Sequence, residues 1–170
     1  MKKIFFILLF IFSYSNLSAD TPYYLDFKFI LNESAAGKKA QSTLKNKLEK
    51  GITNLKNKEK NLREEEKKII QQKKVIKPEE YKLKVDDLRK KVSKLQLERN
   101  KLLEDVSKQR SSARSQLLKN LNPILEEYMK EKRIRMVEDK KSLLLADENL
   151  DITKDIMERL NKKLKSIKIN

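Results

Sequence analysis

The chain has 170 residues, 39% of them charged and 6% aromatic, with a formal charge of +16. It has no histidine, the usual general base and commonest metal ligand, and its two glycines, Gly37 and Gly51, lie too far apart for a phosphate-cradling loop, so neither an enzyme nor a cofactor or metal site is expected. It has no cysteine, which excludes disulfides and lipoprotein attachment and leaves helix pairing, oligomerisation or both as the source of stability.

The chain opens as a secretory signal. Lys2 and Lys3 form a basic n-region, Ile4 to Phe12 an unbroken apolar run, and Ser13 to Ala19 a polar, small-residue approach to cleavage after Ala19. The apolar run is shorter than the roughly 20 residues that a membrane span needs. Residues 1–19 are therefore assigned as a signal peptide, which places the mature protein in the periplasm. Its removal takes away Phe5, Phe6, Phe10 and Phe12 and leaves a charge of +14 from the original +16. A chain poor in aromatics, glycine and proline but rich in Lys, Glu and Leu reads as long helices rather than a globule. Its charge favours anionic partners: nucleic acid, acidic proteins or a lipid surface. Export argues against nucleic acid as the physiological one.

Tyr23 to Phe29 alternates apolar and polar residues and reads as a short strand. In a second reading the strand ends near Asp26, whose carboxylate caps a short helix through Ser34. Gly37 separates that piece from a long polar helix.

Residues 37–120 read as a helical-hairpin arm. Leu48, Leu55, Leu62, Ile69 and Ile76 recur every seven residues. Tyr81, Val85, Leu88, Val92, Leu95, Leu102 and Val106 follow in a four-three pattern broken once by Arg99. The tip is placed at Lys77 and Pro78: a residue before proline leaves helical geometry, and proline suits the first position of the next helix. Counted outward from Lys77, Ile69 mirrors Val85, Leu62 mirrors Val92, Ile52 mirrors Leu102 and Leu48 mirrors Val106, as two limbs folded together require. The seam is thin. Lys58, Glu59, Glu65 and Glu66 stand where a strong coiled coil is apolar, Leu55 faces Arg99, and Gly51 costs about 1 kcal/mol against alanine. Either the arm is built to flex, with Gly51 contributing, or these positions are merely solvated.

Pro123 should kink or restart the helix. Beyond it, Ile134, Met136 and Val137, then Lys140-Lys141, then Leu143 to Leu145 read as two strands joined by a turn. Asp151 or Thr153 caps a last helix bearing Ile152, Ile156, Met157, Leu160 and Leu164 on one face. Residues 20–36 and 121–170 thus form a small β-containing body. Three short strands and a helix are too little to bury a core unaided, so several copies are expected to share one body, through Leu25, Phe27, Met136, Val137 and Leu144. The fold class is mostly α with a small β-body: a long antiparallel coiled-coil arm on three short strands shared between subunits.

Tyr24-Leu25-Asp26-Phe27 through Glu33-Ser34-Ala35-Ala36-Gly37-Lys38 resembles the Skp/OmpH family's strand and its Ser-x-x-Gly-Lys approach to the arm. Leu121-Asn122-Pro123-Ile124 is similar to the family's Pro-Ile return to the body. Ile134 to Asp147, Leu150-Asp151-Ile152-Thr153 and Leu160-Asn161 resemble its hairpin, Asp-Ile-Thr motif and Leu-Asn ending. Glu138 departs from the pattern, standing where the family usually has an apolar strand residue. The resemblance implies a homotrimer whose three arms enclose a cavity for unfolded outer-membrane β-barrel proteins, an ATP-independent holdase with anionic lipid or lipopolysaccharide as a further partner. The alternative is an exported coiled-coil scaffold or adaptor that binds one folded partner; it would not suppress aggregation of many unfolded clients.

Overall fold

The computed structural model describes residues 21–169; the signal segment assigned to residues 1–19 lies outside them. Strand β1 (Tyr23–Leu25) is followed by helix α1 (Phe27–Glu33), the long helices α2 (Ala35–Gln72) and α3 (Pro78–Lys132), strand β2 (Val137–Asp139), 3-10 turns at Lys140–Ser142 and Glu148–Leu150, and helix α4 (Thr153–Lys163). The chain is mostly helical with a small β element, as expected. No described helix is long and apolar enough to cross a membrane.

Of the two readings of the first segment, the capped helix is the one observed. The strand stops at Leu25, and the Asp26 carboxylate accepts the Phe29 N–H at 2.7 Å. Phe27 therefore lies in the first turn of α1, not in a strand. The break before α2 falls at Ser34 rather than Gly37. Ser34 is extended, fully buried, and its Oγ accepts the Gly37 N–H at 3.1 Å, which supplies one of the donors left unpaired at a helix start. Gly37 sits inside the first turn because a Cβ there would lie 2.1 Å from the Leu31 carbonyl oxygen.

Among the described residues the sheet has two strands, not three. β1 pairs in parallel with β2 (Tyr23 with Val137, Tyr24 with Glu138, Leu25 with Asp139), and Tyr24 bridges to Asp151 on its other side. Glu138, the departure from the family pattern, thus takes part in the pairing. The expected strand at Leu143 to Leu145 does not form in this single chain: Asp139 caps the Lys140–Ser142 turn through the Lys141 N–H, and Leu144 and Leu145 are 106% and 93% exposed. An isolated short strand with no partner has no ladder hydrogen bonds to hold it extended.

α3 runs unbroken past Pro123, which lies on its exposed face. It ends instead at Arg133, a left-handed residue with φ of 56°. Since α3 continues, its last four turns supply Leu117, Leu121, Ile124 and Tyr128 to a core shared with Leu25, Ile30, Ala36, Ile134, Ile152, Ile156 and Leu160. That contribution gives one chain a contiguous core, which the reading of the body as three strands and a helix omitted.

Candidate functional site

The arm is built by α2 and the first two-thirds of α3. Lys77 is extended (ψ 145°), Pro78 opens α3, and Glu79 and Glu80 stand in its first turn, complementing the positive end of the helix. At 1.5 Å per residue the 38 residues of α2 run about 57 Å. The limbs pair in the expected sense. Glu65 meets Lys91 at 2.6 Å, Lys58 meets Glu98 at 2.6 Å, Glu59 meets Arg99 at 3.4 Å, and Lys84 donates to Gln72 at 2.9 Å. These pairs centre one or two residues beyond Lys77.

Two details go beyond the sequence. Leu55 is buried, and the Arg99 guanidinium reaches Glu59. The thin side of the seam is also more than solvated, since three of its four polar positions, Lys58, Glu59 and Glu65, form a row of cross-limb ion pairs. Hydrogen bonds and charge from Arg63, then Arg99, hold the Glu59 carboxyl below its ordinary range, and Lys58 does the same to Glu98. The hydrogen bonds that the Lys91 ammonium donates to Asp87 and Glu65 raise its pKa. Solvent and salt screen exposed pairs of this kind, so they fix register more than they hold the limbs shut.

Gly51 has a packing role. A Cβ there would stand 2.5 Å from Leu102 Cδ2 and 2.6 Å from Cδ1, so the missing side chain admits Leu102 against the α2 backbone. An alanine there would require the Leu102 side chain to shift. Apolar burial along the arm is intermittent: Leu44, Leu55, Ile69 and Val106 are buried, whereas Ile52, Val92, Leu97 and Leu103 are exposed.

Charge is divided between the two parts of the molecule. Residues 37–120 carry 26 Lys and Arg against 12 Asp and Glu, while residues 20–36 and 121–170 together carry 13 of each. The whole excess of residues 20–170 therefore lies on the arm. In the body, Leu25 is buried in its own chain's core and Phe27 packs against it. Val137 pairs with Tyr23; the Met136 carbonyl accepts the Tyr23 N–H at 3.1 Å while its side chain is half exposed, and Leu144 is wholly exposed. Of the residues expected to join subunits, the structure thus brings Leu25, Phe27 and Val137 together within one chain and leaves Met136 and Leu144 outside.

The motifs of the body gain physical roles. Asp151 Oδ1 accepts the Thr153 N–H at 2.9 Å, the Thr153 hydroxyl accepts the Asp26 N–H at 2.7 Å, and the Ile152 N–H donates to the Tyr24 carbonyl at 2.9 Å. The cap position of α4 falls instead at Ile152, without a side-chain hydrogen bond; Asp151 binds the first N–H of the helix, and Thr153 ties the helix start to Asp26. Burial pushes the Asp151 carboxyl up, but the Thr153 hydrogen bonds and Lys140 outweigh it, and the net shift is downward. Among the described residues, no group of three or more His, Cys, Asp or Glu is gathered to hold a metal.

The sequence model for the family described as outer membrane protein (OmpH-like) matches residues 23–160. Among solved structures, the chain is similar to an outer membrane chaperone (OmpH-like), so assigned, from Caulobacter crescentus CB15: the TM-score is 0.83 at 18% identity, covering 88% of this chain and 90% of that one. No curated protein matches the sequence.

Proposed function

From the premise that this chain belongs to the OmpH-like outer membrane protein family, we propose that it is a chaperone, and more specifically an ATP-independent periplasmic holdase, without enzymatic activity, for unfolded outer-membrane β-barrel proteins. The observation that carries this reading is the division of charge, 26 basic against 12 acidic residues on a projecting arm beside a body with 13 of each. A long cationic limb raises its encounter rate with acidic unfolded chains before any contact forms. Holding them requires no fixed pocket, because an unfolded client has no fixed shape. The scattered exposed side chains of Ile52, Val92, Leu97 and Leu103 suit many weak contacts that are surrendered as the client folds elsewhere.

Two further parts belong to the proposal. Residues 1–19 direct export, after which nucleic acid is not a physiological partner. Three copies assemble through their bodies, so that three arms enclose a cavity. Met136, Leu144 and Leu145, apolar yet exposed in one chain, support assembly, since side chains this apolar at the edge of a small sheet suit burial by another copy.

Stopped-flow binding of a urea-denatured porin across a salt series tests the electrostatic part. Association should slow steeply as the Debye length falls from about 10 Å at 0.1 M to about 3 Å at 1 M, with little change in dissociation. An association rate flat across the series would remove the role assigned to the arm's charge.

A further inference from the structure

The arm meets the body where both of its limbs are weakened. On α3 the junction holds Pro123, which has no N–H to give the Lys119 carbonyl. One turn earlier the Asn120 side chain bonds the Gln116 carbonyl at 2.7 Å, a contact of the kind that competes with the helix ladder. On the other limb, α2 starts only after the extended Ser34. Carried down from the Glu65–Lys91 and Lys58–Glu98 pairs, the limb register sets Ser34 opposite Asn122, next to Pro123. The two soft points therefore lie at one level.

The tail of the chain crosses that level. α4 finishes at Lys163, whose ammonium meets Glu127 at 2.7 Å, and residues 164–169 continue without helix. Leu164 and Ile167 pack against the core, and the Lys168 carbonyl accepts from Gln116 Nε2 at 2.9 Å. Glu127 stands on the body side of Pro123 and Gln116 on the arm side. The lengths match: five extended residues from Lys163 to Lys168 cover about 16 Å, as do the eleven helical residues from Glu127 back to Gln116. We propose that residues 164–168 are a strap across a hinge at Pro123, holding the arm at one angle to the body, and that their release lets the arm swing. The proposal goes beyond the holdase reading and does not depend on it. Two half-buried apolar side chains and one hydrogen bond hold the strap, a tether that restrains the arm without locking it and opens without unfolding the core.

The test uses the mature full chain and pulsed electron paramagnetic resonance. The chain has no cysteine, and Lys56 on the arm and Lys154 on the body are exposed, so Lys56→Cys with Lys154→Cys carries two nitroxides that report the arm's angle. Labelled chain is diluted into unlabelled chain, so that only distances within one copy are read. The otherwise unaltered chain should give one narrow distance distribution. Gln116→Ala with Ile167→Ala removes the far contacts of the strap and should broaden and shift that distribution, with the helical circular dichroism signal unchanged. In that background Pro123→Ala returns an N–H to the Lys119 carbonyl and should narrow the distribution again, whereas a general loosening of the body would not be repaired there. A distribution that the double variant leaves unchanged would overturn the proposal. So would a broadened one that Pro123→Ala fails to narrow, because the hinge would then lie elsewhere. A loss of helical signal in the double variant would overturn it too, because the tail would then be part of the core and not a strap.

Discussion

Asn161 Oδ1 accepts the backbone N–H of Ala35 at 2.8 Å across 126 residues of sequence. The end of the last helix thereby caps the start of the helix that leads into the arm, and together with Ser34 it satisfies two of that helix's free donors. The arm is consequently anchored at its root by both ends of the described chain.

Removing this acceptor with Asn161→Ala should cost about 1 kcal/mol, the usual worth of an N-terminal cap, while Asn161→Asp, which keeps an oxygen in place, should retain most of it. Urea unfolding followed by circular dichroism checks the difference. Equal stabilities for the two variants would remove the anchoring role.

Gly51→Ala sets two effects against each other. Helix propensity favours alanine by about 1 kcal/mol, but the new Cβ would meet Leu102 at 2.5 Å, and overpacking of this kind costs about 1–3 kcal/mol. The net effect should be destabilising in wild type and should change sign in a Leu102→Ala background, where alanine is free to stabilise the helix. A double-mutant cycle in urea reads this directly. The same sign in both backgrounds would mean that Leu102 does not explain the glycine.

Tyr128 should make the body labile to alkali. Burial, and then a 2.6 Å hydrogen bond to Asp155, push its hydroxyl up to about 12. A group whose folded pKa is raised contributes stability that is complete below its unfolded value, about 10, and is lost as pH rises through the folded one. Stability should therefore fall between about pH 10 and 12, and Tyr128→Phe should flatten that fall while losing the hydrogen bond at neutral pH. Thermal melts at pH 8, 10 and 11 measure both effects.

Leu144→Asp separates folding from assembly. Leu144 is fully exposed in one chain, so the substitution should leave helicity and monomer stability within about 0.5 kcal/mol, as surface changes usually do. A charge buried between copies is costly, so sedimentation should show the oligomer dissociated. An unaltered oligomer would place the assembly surface elsewhere.

The sequence read most clearly where period and chemistry agreed. Heptad spacing and the Lys77-Pro78 pair placed the two limbs and the tip, and counting outward from Lys77 came within two residues of the observed register. What it missed lies where local pattern and tertiary context diverge. Pro123 signals a break, yet on an exposed face its lost hydrogen bond is tolerable, and the packing of Leu121 and Ile124 keeps the helix going. Leu143 to Leu145 has strand composition, but a strand requires a partner, which one chain does not provide. At Gly51 the sequence gives a glycine's cost but not its neighbour, Leu102. The contacts of Asn161 with Ala35 and of Thr153 with Asp26 each span more than 100 residues, and no local pattern signals a contact at that separation.

The central claim is that the arm holds unfolded outer-membrane proteins. It is tested most directly by light scattering when several urea-denatured β-barrel outer-membrane proteins are diluted into buffer with and without the mature chain. Aggregation should be suppressed for all of them, without ATP, at near-stoichiometric protein. Suppression of none, or of a single protein only while the others aggregate unchanged, would contradict the holdase reading and favour an adaptor for one partner.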